Sequence, residues 1–175
     1  MRIAVCLKRV PDTTARIVIA ADGKSIDETG VKFVVNPYDE YALEEALKLK
    51  ETAGAGETVA ICLGSDAAQE TLRTALAMGV DRAVLLQSAA GSDGLEVARA
   101  LAAELKAGNF DLILFGKLAV DDYNHQVGPM VAELLELPCI TSVAHLTVAN
   151  GALEAEREIE GGIEVSTASL PAVLT

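Results

Sequence analysis

TVAICLGSDAAQETLRTALAMGVDRAVLL, residues 58–86, decides the fold. Thr58-Val59-Ala60-Ile61-Cys62-Leu63 is a short, unbroken apolar run. That is the pattern of a strand buried on both faces, not of one that alternates between core and water. Gly64-Ser65 turns the chain, and Asp66 with Gln69 has the spacing of a capping box. Leu72, Ala75 and Leu76 then recur at helical spacing until Gly79 stops them, and Arg82-Ala83-Val84-Leu85-Leu86 is a second apolar run. Strand, helix and strand in this order imply parallel strands joined by a right-handed crossover.

The same rhythm extends outward. Upstream, Arg2-Ile3-Ala4-Val5-Cys6-Leu7 reads as a buried strand that stops at Lys8-Arg9-Val10-Pro11-Asp12. Ala15-Arg16-Ile17-Val18-Ile19, followed by Asp22-Gly23-Lys24-Ser25, reads as an edge strand and turn, and Val31 to Val35 as an extended segment before Asn36-Pro37. A helix then carries Ala42, Leu43, Ala46, Leu47 and the alkyl stem of Lys50 on one face, with Glu44 and Lys48 as an i,i+4 pair, and ends at Gly54 and Gly56. Downstream, Gly91-Ser92-Asp93-Gly94 leads to a helix with Leu95, Ala98, Leu101 and Leu105 inward and Gly108 as its cap. A strand over Asp111 to Phe115 ends at Gly116, and a last helix is expected from about Asn124 to Leu135. Apolar strands alternating with helices specify an open, mainly parallel α/β sheet with helices on both faces. Past Pro138, polar-apolar segments are separated by Asn150-Gly151 and Gly161-Gly162, both strong hairpin turns. Residues 143–169 are therefore expected to form a β-meander attached to the main sheet, within one domain over residues 1–175. The run Leu170-Pro171-Ala172-Val173-Leu174-Thr175 is apolar at the very terminus and reads as a chain cut before its natural end.

The 175 residues are 51% hydrophobic, 23% charged and 3% aromatic, so the chain can hold a sizeable core and is not disordered. Fourteen Lys and Arg against 26 Asp and Glu give a net charge of -12, which disfavours nucleic acid or an anionic membrane as a general partner. A local site for one phosphate is still compatible with that charge. No apolar segment is long enough to span a bilayer, and the N-terminal run is too short for the apolar core of a signal peptide. With three cysteines lacking metal spacing, the chain reads as a reduced cytoplasmic protein without stable membrane insertion.

In an open parallel sheet the ligand crevice lies beyond the carboxyl ends of the strands. Lys8 to Asp12, Leu63 to Asp66, Gln87-Ser88 and the long polar loop Gly116 to Gly128 fall there, with Asn36 to Asp39 within reach. The loop feeds a helix whose free backbone donors suit a phosphate. Alternatively, Asp121 or Asp122 is simply that helix's cap. Lys8-Arg9 is the one basic spot beside the crevice, either a phosphate or partner contact or a solvated strand end. Tyr38 is either a contact residue or core packing. No GxGxxG, P-loop, CxxC or nucleophile elbow is present. His125 and His145 make neither a metal site nor a triad, and Cys6 and Cys62 read as inert core thiols. The residues alone describe a nucleotide-binding α/β domain without catalytic machinery.

Several motifs in order resemble the β-subunit family of electron transfer flavoproteins over nearly the whole chain. They are Val5-Cys6-Leu7-Lys8-Arg9-Val10-Pro11-Asp12, Asn36-Pro37-Tyr38-Asp39-Glu40 with Ala42-Leu43-Glu44-Glu45-Ala46, Glu70 to Gly79, the Gly116 to Gly128 loop, and Glu156 to Glu164 followed by Pro171-Ala172-Val173-Leu174-Thr175. The resemblance implies an adenine-nucleotide α-hydrolase-like arrangement. It implies a heterodimer with an α subunit that mainly holds one redox-active FAD, and AMP bound by the β subunit as a structural nucleotide. Family positions for that site fall on Cys6, on Asn36, Pro37, Tyr38 and Asp39, on Leu63, and on Gly116, Lys117, Leu118, Ala119, Val120, Asp121, Asp122, Tyr123, Asn124, His125, Gln126 and Val127. The Gln126-Val127 backbone is then the phosphate contact, and Val10 to Thr13 and Tyr38 lie near the partner's flavin edge. Some members have an aromatic residue where this chain has Thr13.

The resemblance also implies an electron shuttle. FAD takes electrons from acyl-CoA or other dehydrogenases and passes them singly to a quinone-linked oxidoreductase, while this subunit is a carrier component and not a catalyst by itself. Members are longer, and the portion beyond the late motif carries a recognition loop for dehydrogenases and an arm over the α subunit. Without it, nucleotide binding is expected to persist while docking and heterodimer stability are impaired. Two alternatives stay open at this point. One is a bifurcating flavoprotein with a second FAD in the β-subunit site that oxidises NADH. The other is a stand-alone adenine-nucleotide sensor of the universal-stress type.

Overall fold

A strand with no polar face has to be covered twice, and this requirement shapes the whole molecule. The computed structural model describes residues 1–88 and 93–175. In chain order the strands are β1 (Arg2–Leu7), β2 (Arg9–Pro11), β3 (Phe33–Val35), β4 (Glu57–Gly64), β5 (Arg82–Gln87), β6 (Leu112–Phe115), β7 (Cys139–Ile140), β8 (His145–Ala149), β9 (Ala152–Ile159), β10 (Gly162–Ser169) and β11 (Ala172–Leu174). The helices are α1 (Pro37–Ala53), α2 (Gln69–Met78), α3 (Gly94–Gly108) and α4 (Val127–Leu135).

Six strands form one sheet of order β5-β4-β1-β6-β11-β7, with every pairing parallel. Successive side chains of β1 enter opposite cores. Ile3 and Val5 meet Leu43 and Ala46 of α1 and Leu72 and Ala75 of α2. Ala4 and Cys6 meet Ala98, Leu101 and Leu105 of α3 and Val131 and Ala132 of α4. Helices thus cover both faces, as the apolar runs require. β8, β9 and β10 form a separate antiparallel sheet, whose Leu146, Leu153 and Ala155 join the α1–α2 core. Its first turn is the expected Asn150-Gly151, both residues with positive φ (53° and 77°), as a two-residue hairpin demands.

Several expectations need correction. The supposed edge strand at Ala15–Ile19 is a loop with one isolated bridge, Ile19 to Ile26. Its β-branched residues have strand spacing but no sheet to join, and Ile17, Val18 and Ile19 stay exposed. Asp66 does not cap α2: a 3-10 turn over Asp66–Ala68 intervenes, and its carboxylate accepts a hydrogen bond from Gln87 Nε2 instead. Lys48 pairs with Glu45, not Glu44. The Gly91-Ser92 part of the loop before α3 lies outside the described residues, but Asp93 forms a full capping box with Glu96 there. Leu95 is exposed on the first turn of α3. Gly108 is the last helical residue rather than the cap, since Asn109 takes the left-handed position at φ 50°; what position 108 needs is the absence of a side chain, which would strike the Phe110 ring. α4 begins at Val127 rather than Asn124, since Tyr123 and His125, both at φ 55°, interrupt the helical path. The second hairpin turns one residue early, at Glu160-Gly161, with Ile159 opposite Gly162. The terminal apolar run, given no element in the sequence reading, forms β11, inserted between β6 and β7 with Ala172 and Val173 fully buried.

Candidate functional site

β1 leads to β4 and β5 on one side, and the chain then crosses to β6 on the other. The strand order therefore reverses between β1 and β6, and a crevice must open at their carboxyl ends. A cleft of about 430 Å³ lies there, floored by Cys6, Leu7, Leu63, Phe115 and Gly116 and walled by Lys117 to Ala119 and the starts of α3 and α4. That volume is in the range of sites for one small ligand.

The loop after β6 is held from below by a buried clamp. Asn36 is fully buried; its Nδ2 donates to Asp39 Oδ1 (2.9 Å) and to the Leu118 carbonyl (2.7 Å), while its Oδ1 accepts from Val120 N–H (3.1 Å). Asp39 Oδ2 accepts from Lys8 N–H (2.7 Å), and Oδ1 also accepts from Gly116 N–H (3.1 Å). Gly116 has no alternative: a Cβ there would collide with the Asp39 carboxylate and the Tyr38 backbone. Burial pushes the Asp39 carboxyl up to about 7, against the opposing pull of its donors and of the Lys8 charge.

Above the clamp, Lys8 Nζ bridges Asp121 Oδ1 (2.8 Å) and Asp122 Oδ2 (2.9 Å), and Asp122 Oδ1 accepts from Asn124 N–H (3.1 Å). Burial pulls the Lys8 ammonium down, but the two carboxylates outweigh it and set its pKa above the ordinary value. Burial likewise pushes Asp122 up, and the Asn124 N–H and Lys8 bring it below the usual range.

Two helix starts border the cleft, and they differ. Asp93 closes that of α3 by accepting from Leu95 and Glu96 N–H, both at 2.9 Å. α4 has no side-chain cap, since Gln126 at its N-cap makes none. Its first backbone donors, Val127 and Gly128 N–H ahead of Pro129, and its partial positive charge lie at the cleft. The Cys6 thiol in the cleft and the Cys62 thiol in the core on the other face of the sheet are poor nucleophiles: burial pushes Cys6 well up, helped by Asp39 and Cys62, and pushes Cys62 up to about 11. Among the described residues no group of His, Cys, Asp and Glu could hold a metal ion, and no helix is long and apolar enough to cross a membrane.

Residues 24–175 match the electron transfer flavoprotein domain family. All 175 residues of the chain align with the electron transfer flavoprotein subunit beta of Syntrophomonas wolfei at 42% identity, covering 69% of that protein. The subunits beta of Bacillus subtilis (43% identity, 68% covered) and Homo sapiens (40%, 70% covered) match along the whole chain as well. The chain belongs to the β-subunit family of electron transfer flavoproteins. As a member of that family it is an electron-carrier subunit and not a catalyst by itself.

The positions suggested by the family resemblance divide into three groups. Cys6, Leu63, Gly116, Lys117, Leu118, Ala119, Asp122, Asn124, His125, Gln126 and Val127 line the cleft, and so does Asp39, although its oxygens are engaged by protein donors. Asn36, Val120 and Asp121 stand behind the lining, in the clamp and in the Lys8 bridge. Pro37 is the first residue of α1, Tyr123 is exposed, and Tyr38 lines a different cleft of about 670 Å³ between α1 and the meander. Neither Asp121 nor Asp122 caps α4; both belong to the loop and face Lys8. Sequence reading placed Gly128 at the crevice, where it lines the cleft, but missed the N-cap Asp93 and Gly94, Val97 and Leu101 of α3, and Thr175. The Asp93-to-Glu96 capping spacing marks the start of α3, but only the strand order brings that start beside α4.

Proposed function

We propose that this chain is the β subunit of a flavoprotein heterodimer and that its cleft holds AMP as a structural nucleotide, in an adenine-nucleotide α-hydrolase-like arrangement. The observation that carries this reading is the uncapped start of α4 facing a cleft at the sheet's topological switch point. The apolar floor of Cys6, Leu7 and Leu63 suits a base or sugar face, and the α4 N–H groups suit the phosphate. Lys117 on the wall adds positive charge. The redox chemistry belongs to FAD, held mainly by the α subunit. This chain's own contribution is a wall beside that partner and surfaces for acyl-CoA or other dehydrogenases and for a quinone-linked acceptor. The test is co-purification with an α subunit, acid release of bound nucleotides and their chromatographic count. One AMP and one FAD per heterodimer are expected. Two FAD and no AMP would replace the simple shuttle with the bifurcating scheme, and a stable homodimer without flavin would replace both with the sensor.

A further inference from the structure

Lys8 is not among the positions that the family resemblance assigns to the nucleotide, yet it joins the parts that shape the cleft. Its N–H donates to Asp39 Oδ2 (2.7 Å), and its carbonyl accepts from Asn36 N–H (2.9 Å). Its ammonium reaches across 113 residues of sequence to Asp121 and 114 to Asp122. The backbone between those carboxylates and α4 is costly to hold. Tyr123 and His125 both sit at φ 55°, a region that disfavours side chains by roughly 1–2 kcal/mol per residue. Within the loop, two ties oppose that cost: Tyr123 N–H to the Ala119 carbonyl and Asn124 N–H to Asp122. Lys8 ties it to the sheet. With both carboxylates on its ammonium, Lys8 is already neutralised and is a poor counter-ion for a ligand phosphate.

We propose that Lys8 is a positioning residue: by bridging Asp121 and Asp122 it latches the loop over residues 119–126 so that the start of α4 points into the cleft, and it acts on the nucleotide through the loop without touching the phosphate. This rests on the cleft being a nucleotide site, but the latch itself does not require a ligand. Apparent affinity scales with the fraction of chains whose loop is in place, so loosening the latch from either side of the bridge weakens AMP, whose phosphate meets the start of α4. A phosphate counter-ion would instead bind AMP more tightly once Asp121 and Asp122 no longer neutralise it.

The experiment uses the 175-residue chain as wild type, Lys8→Met, Lys8→Arg and the double variant Asp121→Asn/Asp122→Asn. Hydrogen exchange of the 119–126 amides without ligand, and titration with AMP and with adenosine, are the readouts. Two partly exposed ion pairs set the expected scale at roughly three- to tenfold. Lys8→Met and the double variant are each expected to speed loop exchange by that factor, with core amides unchanged, and to weaken AMP, with adenosine affected less. Lys8→Arg restores both readouts. Unchanged loop exchange in Lys8→Met and in the double variant overturns the latch, as does tighter AMP binding in the double variant. If wild type binds neither ligand, the nucleotide reading fails while faster loop exchange, rescued by arginine, still upholds the latch.

Discussion

Asp39 offers a perturbation whose size follows from the structure. Its carboxyl is buried beneath the cleft and pushed from 3.8 to about 7 in the folded chain. In the unfolded chain it ionises near its ordinary value, so between about pH 4 and pH 7 the folded state holds a proton that the unfolded state has released. Stability therefore falls as pH rises through this window and levels off above 7. At about 1.4 kcal/mol per pH unit, the full fall is ~4 kcal/mol, of which more than half lies between pH 5 and pH 8. Asp39→Asn removes the titration. It also places an amide NH₂ where one of the donors Lys8 N–H, Asn36 Nδ2 or Gly116 N–H needs an acceptor, at a cost of roughly 1–3 kcal/mol. The variant is thus expected to be less stable than wild type at pH 5 and comparable or more stable at pH 8. Urea unfolding of both proteins at unit steps from pH 5 to pH 8 measures this, and their difference cancels the titration of every other group. Parallel stability curves for the two proteins would refute the buried-charge reasoning.

Four further outcomes are expected. Asn36→Ala strands Val120 N–H and the Leu118 carbonyl in a buried site and should cost roughly 2–4 kcal/mol, seen as a lower urea midpoint at unchanged slope. Gly116→Ala drives a methyl into Asp39 and the Tyr38 backbone and should cost roughly 1–3 kcal/mol by thermal unfolding; a neutral result would mean the loop can retreat from α1 without penalty. Gly128→Ala meets Thr175 Cγ2 at 2.6 Å, whereas Gly94→Ala meets only the movable amide of Gln126 at 2.7 Å. The first should lower the melting temperature more than the second, and the reverse order would contradict the packing at the α4 start. Iodoacetamide followed by peptide mass spectrometry should label exposed Cys139 in the native chain, faster at pH 9 than pH 7 because the thiolate is the nucleophile and more slowly than a free thiol because partial burial raises it, and should reach Cys6 and Cys62 only on unfolding.

Most of the parallel sheet is legible in the sequence because β1, β4, β5 and β6 are short apolar runs, each leading on to a helix with apolar residues on one face. Ile3 to Leu7 and Val59 to Cys62 have no polar face to blur the pattern. Ile17 to Ile19 mislead for the complementary reason: β-branched residues signal a strand, but a strand needs a neighbour, and only one bridge forms there. β11 is illegible because Ala172 to Leu174 is too short to announce itself, and its place depends on the meander folding back first. The site divides along the same line. Its loop is visible as a polar, glycine-flanked run at a strand end. The clamp is not, because Asn36-Pro37 looks like an ordinary helix entry and its partners, Leu118 and Val120, are more than eighty residues away.

Such separations explain why the cleft is built as it is. The start of α4 is not shaped by its own loop sequence, which breaks helical geometry twice, at Tyr123 and His125. Three contacts from distant elements determine it. Gly128 packs on Thr175 beyond β11, Gln126 lies against Gly94 of α3, and Asp121 and Asp122 meet Lys8 beyond β1. All three depend on strand order: β11 must enter beside β6, and β6 beside β1, before Thr175, Gly94 and Lys8 can surround one helix start. The uncapped backbone donors of α4 therefore face one cleft only when the six-stranded sheet is complete. On the proposed nucleotide reading, ligand affinity and sheet assembly are linked, and a ligand that binds the finished cleft stabilises the outer strands as well as the loop it touches.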